Sequence, residues 1–269
     1  MSLAVRATFS SSLSSDSHFF TFLGDRQAQY RLLKAADPLL DTIGEIAKLA
    51  HAPQESLKGI AYARMGLRTV RDLLGISHIF FSVIPALIYS LGLLFRLCYS
   101  FFTAQDVQLH PTKRGYATVA KGSAEKMLCI AALTAQCAKS GSSAFAFCVC
   151  QPLLYLQITS GVKLGERLQA VGGAFQTLML VKHSSGLLAG GLEMAYHYSA
   201  FQRTAIQERD YSDFSKKIIQ LAAGIIENGL QLLYDIAKTL QTTVPAGFRL
   251  PLTCTIAGVG LYKTWLKTA

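Results

Sequence analysis

Apolar residues along the first third of the chain recur at three- and four-residue steps. From Asp25 to about His51, the residues Tyr30, Leu33, Pro38, Leu40, Ile43, Ile46, Ala47 and Ala50 fall near one another on a helix, with charges between them. Pro38 follows Asp37 and is expected to kink or restart this helix, because proline has no amide proton for the i−4 bond. "HAPQES" then breaks the pattern, and Ser56 is the expected N-cap of a second helix running through Asp72. In that helix Arg64, Arg68 and Arg71 stand at i, i+4 and i+7 and therefore share a face. The expectation is a cationic amphipathic helix in the headgroup layer. Its arginines would sit on lipid phosphates, with Leu57, Ile60, Leu67 and Val70 opposite, in the acyl boundary. A solvated basic face is the plainer alternative.

Four apolar segments follow. Residues 73–95, "LLGISHIFFSVIPALIYSLGLLF", are twenty-three residues without one Asp, Glu, Lys or Arg. At about 1.5 Å per residue they are long enough to cross a hydrocarbon core of roughly 30 Å, and Pro85 kinks such a span without forbidding it. A loop around His110–Gly115 and a helix from about Tyr116 lead to the second charge-free run, 140–162, which its serines, Gln151, Pro152 and Gln157 make polar for lipid. The third segment, 168–198, is interrupted by Lys182, His183 and Glu193, which need partners or an interface position inside a membrane. Its Gly186, Gly190 and Gly191 are expected to let another helix approach closely, including one from a second copy. Asp213 or Ser212 should cap a long amphipathic helix, 213–240, with Ile218, Leu221, Ile225, Leu232 and Ile236 on its periodic face. The last segment, 250–262, is short for a span. Tyr262, Lys263, Trp265 and Lys267 follow it in the manner of a membrane-interface anchor, although a core helix reads equally well.

Composition supports lipid contact. Only 16% of the 269 residues are charged and 51% are apolar, where an ordinary soluble domain carries about 25% charge. The net charge is +10, which suits an anionic lipid surface. Nucleic acid is not the expected partner, because the basic residues form no dense patch interleaved with aromatics. The first twenty residues contain seven serines and no continuous apolar core of a secretory signal. They read as a disordered tail, a mitochondrial-type presequence or a type III secretion leader.

Candidate chemistry is sparse. The six cysteines lie among apolar or small residues, and Cys148-x-Cys150 has no second pair at zinc-ligand spacing. The chain contains no phosphate-loop, nucleophile-elbow or His-Glu-x-x-His motif. The expectation is a non-enzymatic protein with no catalytic residues, no cofactor and no metal.

Two family resemblances bear on function. "GDRQAQYRLLKAADPLLD" and "ESLKGIAYARMGLRTVRDLLGISHIF" resemble the N-terminal half of the peroxin-11 family of peroxisome-proliferation proteins, and "AGFRLPLTCTIAGVGLYKTWLK" is similar to that family's C-terminal membrane segment. The likeness touches about half of the chain. It departs at Gly24-Asp25-Arg26-Gln27 and in the serine-rich extension ahead of the first helix. It implies remodelling and division of peroxisomes by an inserted cationic helix carrying Arg64, Arg68 and Arg71. A serine-rich leader followed by hydrophobic segments also resembles the secreted inclusion-membrane proteins of chlamydiae. There, however, two hydrophobic lobes flank a short loop, whereas forty-four residues separate the charge-free runs here.

These readings combine into an all-α helical membrane protein with one to three membrane-embedded helices. A leader at 1–22 precedes a single domain at 23–269. The expected function is membrane shaping or scaffolding on an anionic lipid membrane, with self-association into a homo-oligomer. A secreted inclusion-membrane effector and a soluble helical bundle are the alternatives.

Overall fold

Asp25 opens the first long helix by accepting the Ala28 amide at 2.9 Å, an N-cap that satisfies one of the free amides of the first turn. That helix, α1 (Arg26–Leu49), belongs to a computed structural model that describes residues 19–103, 105–109, 119–153, 165–205, 209–240 and 245–268. The leader up to residue 18, the loop at 110–115 with the helix start at Tyr116, and the end of the 140–162 run therefore lie outside the described residues. The fold is all-α, with one short β-ladder. In order come α1, α2 (Gln54–His78), a π-helical segment (Ile79–Val83), α3 (Ile84–Thr103), β1 (Val107–Gln108), β2 (Val119–Ala120) and α4 (Gly122–Phe145). A second π-helical segment (Ala146–Cys150), α5 (Gly165–Arg203), α6 (Tyr211–Thr239) and α7 (Ala246–Thr268) complete it.

The single domain expected over 23–269 resolves into two compact units, residues 1–78 with 245–269 and residues 79–244. In the first, α1 and α2 form an antiparallel hairpin and α7 returns to pack on α1. Pro38 sits inside α1, which continues through it without a restart. The hairpin turn uses His51 at φ 53°, a left-handed residue that ends α1, while the Ala52 amide donates to the Ala47 carbonyl at 2.9 Å. Ser56 is not the cap of α2. The helix begins two residues earlier, and the Leu57 amide donates to the Pro53 carbonyl at 3.3 Å.

In the second unit α4 packs against both α3 and α5, and α5 packs along α6. Leu93, Leu97, Leu109, Ala120, Cys129, Tyr196 and Ala200 form its core, with Leu97 completely enclosed. The strands β1 and β2 pair antiparallel, Val107 opposite Ala120, and close this core from one side. Buried Glu125 ties the N-terminus of α4 to the C-terminus of α5. It accepts the Lys121 amide at 2.9 Å and the Arg203 guanidinium at 3.0 Å. Lys126 reaches the other way, donating to the Gln105 carbonyl at 2.6 Å beyond the end of α3. Asp210 caps α6 by accepting the Asp213 amide at 2.9 Å. The cap thus lies two residues before Ser212 and three before Asp213, the expected positions, and Asp213 supplies the amide it binds.

Both π-helical segments end two residues before a proline, Val83 before Pro85 and Cys150 before Pro152. A proline ring inside a helix removes one hydrogen bond and crowds the carbonyl four residues back. One wider turn upstream moves that carbonyl aside, and at Pro85 the helix continues into α3 rather than breaking.

The α5–α6 contact depends on glycine. A methyl group on Gly186 would lie 2.6 Å from Asn228 Oδ1, and one on Gly190 would lie 2.8 Å from Ile225 Cγ1. Gly191, expected to share this role, has open space around it. The glycine face expected for self-association is therefore taken by α6 of the same chain. Replacing Gly190 by Val should destabilise the protein by about 1–3 kcal/mol through overpacking, whereas Gly191→Ala should leave it unchanged or slightly more stable. Thermal unfolding followed by circular dichroism in mild detergent distinguishes the two.

Candidate functional site

The charged surface of the α1–α2 hairpin is built by matched spacing on its two helices. Asp37 and Asp41, at i and i+4, share one face of α1, and Arg64, Arg68 and Arg71 share one face of α2. The antiparallel hairpin brings these faces together. Asp37 accepts from Arg64 Nε at 2.8 Å, from Arg68 Nε at 3.0 Å and from Arg71 Nη1 at 3.3 Å. Arg64 also donates through Nη1 to Asp41, and Arg71 pairs with Asp72 at 2.8 Å. Arg249, from α7, completes the cluster at 3.2 Å from Asp41. The three arginines expected to meet lipid phosphate are thus engaged by carboxylates of their own chain, with Arg68 the most exposed of them.

The apolar face assigned to this helix needs correcting. Leu57, Ile60, Arg64 and Arg68 follow one another at steps of three and four, so they lie along one stripe rather than on opposite sides. Together with Leu40, Asp41 and Met65 they line a single open groove of about 370 Å³ between α1 and α2. Leu67 is half-buried, and Val70 points outward. What faces outward is instead the other side of each helix: Leu39, Ile43, Ile46 and Leu49 on α1, and Tyr62, Val70 and Leu73 on α2. The Asp37–arginine cluster lies between the helices while these apolar side chains face out, a partial reversal of the polarity of an ordinary soluble hairpin.

The C-terminal residues read as an interface anchor divide. Trp265 packs edge-to-face on buried Phe22 with ring centroids 5.3 Å apart, and Lys267 donates to Gln27 Oε1 at 3.2 Å. Tyr262 stays exposed and Lys263 is half-buried. Trp265 and Lys267 thus help hold α7 on the N-terminal helices. Lys182, whose charge interrupts the 168–198 segment, lies over the Phe147 ring at 5.2 Å, a cation–π contact that gives it a partner.

Among the described residues, no three His, Cys, Asp or Glu side chains converge as a metal site. Burial, together with the Glu125 and Glu193 charges, pushes the Cys129 thiol up to about 12, so it stays protonated at neutral pH. No family model, no curated protein and no solved structure matches the chain. Its function is therefore argued from its own residues.

Burial works against the Asp37 carboxylate, but the hydrogen bonds and charges of Arg64 and Arg68 outweigh it and hold the group below its ordinary value of 3.8. A carboxylate depressed by folding contributes stability that is complete well above its unfolded pKa. That stability is lost as pH falls below about 3.8 and through the lower folded value. Asp37→Asn should cost about 2 kcal/mol at pH 7, between the values for exposed and buried pairs. The variant should also lose part of the drop in melting temperature that the parent shows between pH 5 and pH 3. Melting curves of both proteins across that interval measure this.

Proposed function

We propose that the protein is a non-enzymatic, membrane-embedded scaffold that shapes the bilayer it occupies. The observation that carries this reading is the exposure of its most apolar helix. Among the described residues, the continuous helical run Gln54–Thr103 is the one long and apolar enough to cross a membrane. Its best 18-residue window has a mean hydropathy of 1.9, and only 17% of that window is buried. A core helix of a soluble bundle carries its apolar side chains inside. Here Phe81, Ile88, Phe95 and Phe102 are between 65% and 88% exposed. Leaving such a surface in water costs about 25 cal/mol per Å² of apolar area, and lipid removes that cost.

The shaping role rests on α1 and α2. With Arg64, Arg68 and Arg71 engaged by Asp37, Asp41 and Asp72, the outward Leu39–Ile43–Ile46 stripe of α1 is free to sit in the acyl boundary. A 24-residue helix lying there, about 36 Å long, occupies the headgroup side of one leaflet only and favours curvature. This differs from insertion driven by arginine–phosphate contact, since the arginines are already paired. The peroxin-11 resemblance makes the membrane peroxisomal and the activity organelle division. The chlamydial resemblance makes it a bacterial inclusion, and only that reading requires the serine-rich leader to be a secretion signal.

The full-length protein should remain in the membrane pellet after alkaline carbonate extraction. Ile88→Arg combined with Phe95→Arg adds about 5–7 kcal/mol to the insertion of that helix, and should move the protein into the supernatant. Release of the parent protein by carbonate would overturn the proposal in favour of a soluble bundle. Arg64→Gln should lower thermal stability while leaving the dependence of vesicle binding on anionic lipid unchanged, as measured by flotation.

A further inference from the structure

The helix α6 has a charge content that disguises it. Glu227, Asn228 and Asp235 fall in its second half, and they keep it from reading as a span. The structure turns these polar residues inward. Glu227 and Asn228 are 6% and 5% exposed, and Asn228 Oδ1 accepts from His183 Nδ1 of α5 at 3.2 Å while its Nδ2 donates to the Gly224 carbonyl at 2.7 Å. His183 Nε2 lies 3.7 Å from Asp235 Oδ2. The outward face carries Ile219, Ile226 and Leu233 at strict seven-residue steps, 44%, 51% and 63% exposed.

We propose that α6 crosses the membrane, with the Ile219–Ile226–Leu233 stripe against lipid acyl chains and its polar residues held against α5. This rests on the reading of the protein as membrane-embedded and adds a second span, one that hydropathy alone passes over. Three observations select lipid as the occupant. Lys217 and Lys238 bracket the stripe twenty-one residues apart, which is about 31 Å of helix against a hydrocarbon core of roughly 30 Å. Lys216 and Lys238 are exposed, placing cations at both ends where anionic headgroups would meet them. Ala222, Ala223, Gly229 and Leu230 beside the stripe are uncharged, so it lacks the flanking ion pairs that set the register of two coils in water.

Depth-dependent fluorescence quenching tests this on the full-length chain. Trp265→Phe removes the native tryptophan, and Ile219→Trp, Ile226→Trp or Leu233→Trp then places one reporter on the stripe. Each protein is reconstituted in phosphatidylcholine vesicles whose acyl chains carry bromine at a shallow or a deep carbon. The expected result is blue-shifted emission at all three positions. Loss of emission to deep bromine should be greatest for Ile226→Trp, and loss to shallow bromine greater for the other two. Equal, shallow quenching at all three would show a helix lying flat and overturn the span. Absence of quenching, whether the stripe faces water or a second copy, would overturn the lipid contact. Flotation of the same vesicles separates the two claims. Protein that floats without quenching removes only the α6 span, whereas protein that does not float removes the membrane reading as well.

Discussion

Asp37 receives three guanidinium groups, and the arrangement of the N-terminal hairpin depends on that meeting. A carboxylate and several arginines are costly to take out of water unless each finds a partner with good geometry. The partner here lies on the other helix, so electrostatics fixes which faces of α1 and α2 look at each other. Once those faces are committed inward, Leu39, Ile43 and Ile46 of α1 and Tyr62, Val70 and Leu73 of α2 are left on the outside. Arg249 extends the same logic to α7, drawn to Asp41 while Trp265 seats on Phe22 further along.

The second unit joins α5 to α6 through polar groups as well. His183 and Asn228 meet where Gly186 lets the helices approach, and Asp235 lies beside them. In both places polar side chains serve as the contact between helices, and the apolar surface is what the surroundings see. Such an arrangement is unfavourable in water and favourable in hydrocarbon, where helix association draws no gain from burying leucine and relies on close packing and hydrogen bonds instead. The inversion in α1, α2 and α6 is thus consistent with the exposed window in Gln54–Thr103, although it is an independent observation.

Much of the helical layout was legible in the residues. The break after His51, the long runs through 73–95 and 168–198, and the amphipathic helix after Asp210 all follow from spacing and from a few breakers. What spacing does not reveal is direction. The i, i+4 arginines of α2 are the same whether they meet phosphate or carboxylate. Only the equal spacing of Asp37 and Asp41, set in antiparallel register by the His51 turn, decides between them, and that signal was present but unread. Three- and four-residue steps put Leu57 and Ile60 on the stripe of Arg64 rather than opposite it. Arg249 could not be found this way, because nothing local says that the last helix returns to the first. Gly186 and Gly191 look alike in sequence, and only the position of Asn228 separates a packing glycine from an open one.

The contact between His183 and Asn228 also constrains how the chain is made. Residue 183 leaves the ribosome forty-five residues before residue 228, so α5 must wait with its histidine side unmatched until α6 emerges. Conversely, Asn228 of α6 finds this partner on α5, which is already made when α6 emerges. His183 and Asn228 are therefore matched only once both helices have been made. Biogenesis of this protein is in this respect a matter of timing as well as of hydrophobicity.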